Sequence, residues 1–174
     1  MSDTGSRSVA LRRARPDDVE FLLALVSDHD VRPFLGPRTA ADRESVLAEV
    51  ERSQAEPGRF GRFVIEVDGE RAGALGFHVA NEPNRIARLE RLAVHPDFRG
   101  AKVADEAARR FQRLLLDELG FHRLELEIYA FNERAVAHAE RSGFVREGVR
   151  RRAYLRDGEW RDAVMFSLLA EDLA

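Results

Sequence analysis

Between Leu89 and Ala104 the chain reads Leu-Glu-Arg-Leu-Ala-Val-His-Pro-Asp-Phe-Arg-Gly-Ala-Lys-Val-Ala. An apolar strand ends at a proline turn, Arg-Gly follows at once, and a long amphipathic helix begins. At such a junction the unpaired N–H groups of the first helical turn meet the positive end of the helix dipole. The segment is therefore a ready anion site.

The remaining segments supply a sheet for that strand. Val9–Arg15 reads as a first strand, and Pro16-Asp17-Asp18 opens a helix with Phe21, Leu22, Leu25 and Val26 on its apolar face. Thr39 is placed to cap a second helix reaching about Gln54. Arg62–Val67 alternates, Asp68-Gly69 marks a hairpin, and Leu75, Phe77 and Val79 repeat the alternation. Ile86–Val94 is the strand ahead of the anion loop. Val103, Ala107, Phe111, Leu114, Leu115 and Leu119 mark the inner face of the helix behind it, which Gly120 stops. Leu124, Leu126 and Ile128 face one way in the next strand, with Glu125, Glu127 and Tyr129 facing the other. A helix opening at Asn132 and two long strands joined at Asp157-Gly158 complete an α/β order with a mixed sheet.

Two further signatures accompany the loop. Asn132-x-x-Ala135 opens its helix, and Ser142-Gly143-Phe144 closes it. With the Arg99–Ala104 loop at this distance, the chain resembles the GCN5-related N-acetyltransferases. The tail, from Phe144-Val-Arg-Glu-Gly through Asp157-Gly-Glu-Trp-Arg-Asp to Ser167-Leu-Leu, is similar to one branch of that family. That branch holds the Rim-type enzymes acting on ribosomal-protein N-termini and the polyamine acetyltransferases. The resemblance spans roughly Val9 to Leu173. It implies a single-domain α/β fold with a mixed, splayed sheet flanked by helices. It also implies acetyl transfer from acetyl-CoA to a primary amine through a ternary complex, with no metal. A protein N-terminal amine is the favoured acceptor. The alternatives are a small amine, such as a polyamine or an amino-sugar antibiotic, and a non-catalytic acyl-CoA sensor.

The resemblance also assigns residues. Arg99, Gly100, Ala101, Lys102, Val103 and Ala104 would hold the CoA pyrophosphate. The backbone of Leu92, Ala93 and Val94 would pair with the pantetheine arm and polarise the thioester. Asn132 would touch that arm or simply cap its helix. Lys102 stands where the family places Gly. Its ammonium would serve a phosphate as a point charge, or its stem would obstruct the close approach that Gly permits. Bulk favours obstruction. Glu90, on the strand beside the loop, is the candidate base; a surface Glu paired with an Arg is its bland alternative. His78 and Glu127 follow as second choices. The Tyr that many members use as general acid is replaced by Ala139, leaving Tyr154, Ser142 or water. Phe34 and Leu35 either border the acceptor slot or pin their loop to the core. Asp28, Asp30 and Glu82 could supply acids for a small cation.

Composition bounds the reading. The 174 residues suit one domain, with a polar tail over residues 1–8 expected to be disordered and the domain over 9–174. The absence of cysteine excludes a disulfide, a thiolate metal site and a cysteine nucleophile. A net charge of −3 gives no pull toward nucleic acid, and Arg146, Arg150, Arg151, Arg152 and Arg156 are split between strand faces, as suits a solvated edge strand. No signal-peptide core or membrane span is visible, so a cytoplasmic protein, possibly a homodimer, is expected. Among 28 basic residues Lys102 is the single lysine, and it lies in the anion loop.

Overall fold

The computed structural model describes residues 7–36, 39–100 and 102–173. Its strands are β1 (Val9–Arg13), β2 (Phe60–Val67), β3 (Glu70–Asn81), β4 (Ile86–Val94), β5 (Arg123–Tyr129), β6 (Val145–Arg156) and β7 (Glu159–Leu169). They form one sheet in the order β1-β2-β3-β4-β5-β7-β6. Every neighbouring pair is antiparallel except β4 and β5, whose parallel pairing is bridged by a helical crossover. The helices are α1 (Val19–Ser27), α2 (Arg43–Ala55), α3 (Val103–Arg113) and α4 (Glu133–Arg141).

The alternation in β2 explains the layers. Phe63 and Ile65 join Leu75, Phe77, Leu124 and Phe166 in a core that packs on Val103, Ala107, Phe111 and Leu115. Val64, facing the other way, packs on Val19, Leu22, Val46 and Val50. Both faces of the central strands are covered, so helices α1 and α2 lie on one side and α3 on the other.

Several local boundaries differ from those expected. Strand β1 stops at Arg13, and Pro16–Asp18 forms a 3-10 turn before α1. Asp18 is fully buried there, accepting from the Arg15 N–H at 2.7 Å and paired with Arg12 and Arg71. Asp42, not Thr39, caps α2: its Oδ1 accepts from the Ser45 N–H at 2.8 Å. Beyond α3, one π-helical turn over Leu114–Glu118 leads to Gly120, which adopts a φ of +72°. Of the expected tail, residues 1–6 lie outside the described residues. Ser8 is already tied to the β2–β3 turn by two bonds with Asp68, each 2.9 Å. Strand β6 lies at the sheet edge. Tyr154 packs edge-on against Tyr129, whereas Trp160 is 61% exposed. Among the described residues no helix is long and apolar enough to cross a membrane.

Candidate active site

Strands β4 and β5 pair only over Ile86–Arg88 and Arg123–Glu125, then part. From Leu89 onward β4 keeps β3 on one side and, among the described residues, has no strand partner on the other. That open edge contains Leu92, Ala93 and Val94, and Leu92 is exposed. An extended amide chain fits such an edge, because its N–H and C=O groups complete the ladder.

A bulge shapes the same stretch. Ala74 pairs with Ala93 and Gly76 with Glu90, so Arg91 and Leu92 together stand opposite Leu75. Arg91 adopts a φ of +60°, and its side chain reaches the α2 side, where Nη1 donates to Glu49 Oε2 at 2.6 Å. Plain alternation would have sent Arg91 and Glu90 to opposite faces.

The anion loop follows. Pro96–Phe98 makes a 3-10 turn, and Gly100 and Lys102 both adopt left-handed φ values, +85° and +57°. Lys102 therefore takes the backbone shape that Gly adopts without cost. It is the N-cap of α3 and makes no side-chain cap bond, which leaves the first-turn N–H groups of the helix without a side-chain cap. The acids of the first turn are engaged elsewhere: Asp105 with His138 at 3.1 Å and Arg141, Glu106 with Arg109 and Arg110. Arg99 bends back, its Nε donating to the Val94 carbonyl at 3.1 Å and its Nη1 lying 3.7 Å from Asp30. Ala101 lies outside the described residues. Asn132 caps α4, its Oδ1 accepting from the Ala135 N–H at 3.2 Å.

On the α2 side of β4 the side chains form a charged network. Arg62, from β2, places Nη2 2.8 Å from Glu90 Oε1 as an ion pair and donates from Nε to Glu49 Oε2 at 3.0 Å. His78 Nδ1 lies 3.6 Å from Glu90. Gly76 is required here, since a Cβ would collide with the Arg62 guanidinium and the Gly61 carbonyl. Burial pushes the Glu90 carboxyl up, but His78, Arg62 and Arg91 beside it prevail and hold it at about 2. Glu49 is likewise held low: Arg62 and Arg91 outweigh the burial that would raise it.

The other candidates are distributed around this network. Glu127 accepts from the Tyr154 hydroxyl and from Arg150, both at 2.8 Å. Ala139 is buried in the core. Ser142 Oγ lies 3.5 Å from His138. Leu35 is buried and pins its loop, whereas Phe34 is exposed and lies 5.9 Å from Phe131. Phe131 in turn stacks on Tyr129 at 5.1 Å, and the Tyr129 hydroxyl is buried without a hydrogen-bond partner among the described residues. Asp28 accepts from the Asp30 N–H, and Glu82 forms an exposed pair with Arg59. Sequence reasoning missed Glu49, Arg62, Tyr129 and Phe131 as neighbours of the site. Phe131, adjacent to Asn132, was within reach of the motif; Glu49 and Arg62 carried no local signal.

Comparison with known proteins accords with this geometry. The acetyltransferase (GNAT) domain family model matches residues 8–145. YdaF of Bacillus subtilis (strain 168), provisionally described as a ribosomal N-acetyltransferase, is 26% identical over 94% of this chain and 92% of its own. The spermidine N(1)-acetyltransferase of Escherichia coli (strain K12) is 29% identical over 59% of this chain and 55% of its own. Among solved structures, the Vibrio cholerae spermidine N-acetyltransferase in complex with CoA and spermine superposes with a TM-score of 0.82. That match is 21% identical and covers 95% of this chain and 98% of that one. The open β4 edge and the uncapped α3 N-terminus suit CoA as co-substrate, and the chain belongs to the GNAT acetyltransferase family, whose reaction is acetyl transfer from acetyl-CoA to an amine.

Proposed function

We propose that this N-acetyltransferase acts on a protein N-terminal amine, which approaches from the α2 side while acetyl-CoA occupies the open edge of β4. The observation that carries the reading is the parting of β4 from β5 directly beside Glu90 and His78, whose side chains lie 3.6 Å apart. The amine nitrogen attacks the thioester carbonyl carbon. The C–S bond breaks, an amide forms, and CoA leaves as its thiolate. A backbone N–H among Leu92, Ala93 and Val94 would stabilise the charge developing on the carbonyl oxygen. Arg99, Gly100, Ala101, Lys102, Val103 and Ala104 would face the pyrophosphate, and Asn132 would order the start of α4 beside the arm. The incoming ammonium must first lose a proton. Glu90, held at about 2, keeps its charge rather than a proton, so His78 takes the proton and Glu90 stabilises the imidazolium. Ala139 offers no proton to the departing thiolate, which is a good enough leaving group for water to complete the step.

The charge balance favours a singly charged amine. Each carboxylate facing the slot has an arginine partner: Glu49 and Glu90 with Arg62, and Glu127 with Arg150. A polycation therefore finds little net attraction there. Spermidine is the second reading, resting on the Escherichia coli relative. The test measures thiol release from acetyl-CoA with a peptide, with the same peptide blocked at its N-terminus, and with spermidine. The free peptide should be the best acceptor and the blocked one inert. If calorimetry shows acetyl-CoA binding but no amine releases thiol, the catalytic reading fails and the sensor reading replaces it.

A further inference from the structure

The network around Glu90 opens into a polar cleft of about 380 Å³ between α2, β2, β3 and β4. Four arginines line it, Arg52, Arg59, Arg62 and Arg91, against two carboxylates, Glu49 and Glu90. The inner part is balanced, because Arg62 and Arg91 are committed to Glu49 and Glu90. The outer part is not. Arg52 and Arg59 pair with Glu56 and Glu82, neither of which lines the cleft. Both outer pairs are solvent-exposed and exchange readily for another anion.

The outer arginines are also positioned. Phe60 is buried beneath two guanidinium groups, with Arg52 4.3 Å and Arg62 4.5 Å from its ring centre. Arg59 is fixed at its backbone, its carbonyl accepting from the Val79 N–H at 2.9 Å. Phe60 pairs with His78, so Arg59, the residue just before β2, lies one residue from the strand position opposite His78. That offset is roughly 3 Å of strand, before the reach of the side chain is added.

We infer that the acceptor carries an anionic group, a carboxylate or a phosphate, within about two residue lengths of its reacting amine, and that Arg52 and Arg59 bind it. The inference rests on the reading above and names its substrate class. The amine would sit at His78 and Glu90 while the anion displaces Glu82 or Glu56 at the mouth of the cleft. An acidic peptide N-terminus and a small amino-phosphate share this chemistry. A polyamine does not, and the exposed arginines would repel it.

The test compares initial rates with Ala-Glu-Ala-amide, Ala-Gln-Ala-amide, Ala-Lys-Ala-amide, phosphoethanolamine and spermidine. The wild type should favour the Glu peptide over the Lys peptide at least tenfold in kcat/KM, mostly through KM, and added salt should erode the preference. Phosphoethanolamine outranking the peptides would also support the anion requirement and assign it to a small phosphate. The double variant Arg52→Gln with Arg59→Gln should flatten the ranking while thermal stability and acetyl-CoA affinity hold. A wild type that prefers spermidine or the Lys peptide overturns the inference and leaves acetyl transfer standing, as does a preference that survives the double variant. Failure of all five acceptors, with acetyl-CoA still bound, instead overturns the catalytic reading itself.

Discussion

The two sides of β4 are built differently. The side proposed for acetyl-CoA is one contiguous run, from Leu92 on the open edge through the Arg99–Ala104 loop to the first turn of α3. The side proposed for the acceptor is assembled from α2, β2, β3 and β4, each contributing one side chain: Glu49, Arg62, His78 and Glu90. The first needs only chain order and a helix start. The second needs the sheet register, a bulge at Arg91 and a glycine at position 76. A defect should therefore act locally on the first side and spread across the second.

The largest effect should follow removal of Arg62. It is 7% exposed and holds two carboxylates. Truncating one partner of a buried pair leaves charge uncompensated, at about 3–5 kcal/mol. Arg62→Ala should lower the unfolding free energy on that scale in urea melts, whereas Arg99→Ala should leave it nearly unchanged. Equal, small losses would erase the distinction between the two sides. The same carboxylates set the response to acid. Glu90 and Asp18 are each held at about 2 in the folded protein, below their ordinary range. Their contribution is complete above the ordinary carboxylate range and is lost as pH falls through it toward 2. Stability should drop steeply between about pH 4 and 2. A flat profile there would show that the arginines do not hold these groups ionised.

Next comes catalysis. His78→Gln should lower kcat by about a hundredfold, the low end for a lost acid–base group, with acetyl-CoA affinity unchanged. Glu90→Gln should lower kcat in the same direction and shift the pH profile, because the imidazolium loses its partner. If Glu90→Gln reduces kcat and His78→Gln does not, the proton passes to Glu90 directly or through water.

The contrast between the two sides also explains what the sequence made legible. Strand, proline turn, Arg-Gly and helix are written in order, so the loop, α3 and the family resemblance could be read directly. A mixed sheet followed, without its strand order, and so did the exposed edge position of the arginine-rich β6. The Glu90–His78 juxtaposition could not be fixed, because it depends on Gly76 standing opposite Glu90. Arg62 looked like an ordinary strand arginine; only tertiary pairing brings it between Glu49 and Glu90. The α2 cap moved from Thr39 to Asp42 because two residues three apart offered equivalent oxygens and the local sequence did not rank them.

On the acetyl-CoA side a smaller effect is expected from Arg99→Ala, which should weaken acetyl-CoA binding by about 2 kcal/mol, the scale of a charge-assisted hydrogen bond. In this structure Arg99 bonds the Val94 carbonyl and approaches Asp30, so the variant also frees an acceptor on the open edge. A dissociation constant unchanged in calorimetry would make Arg99 a brace for the loop and remove it from the phosphate site.

The smallest effect concerns Lys102, which holds a φ of +57° where an L side chain is disfavoured by about 1 kcal/mol. While the loop is free, that penalty shifts its population away from the backbone shape seen here, and a phosphate ligand must restore it. Lys102→Gly removes the penalty and the bulk but also removes an exposed charge, which solvent and salt already weaken. The backbone effect should win. Lys102→Gly is expected to bind acetyl-CoA up to about fivefold more tightly, matching roughly 1 kcal/mol. Lys102→Ala keeps the left-handed strain and loses the charge, so it should bind more weakly than the wild type. The two variants separate the causes, because they share the lost ammonium and differ in backbone freedom. If the Gly variant binds more weakly and the wild type loses its advantage at high salt, the ammonium is a phosphate ligand and the single lysine of the chain supplies charge rather than strain.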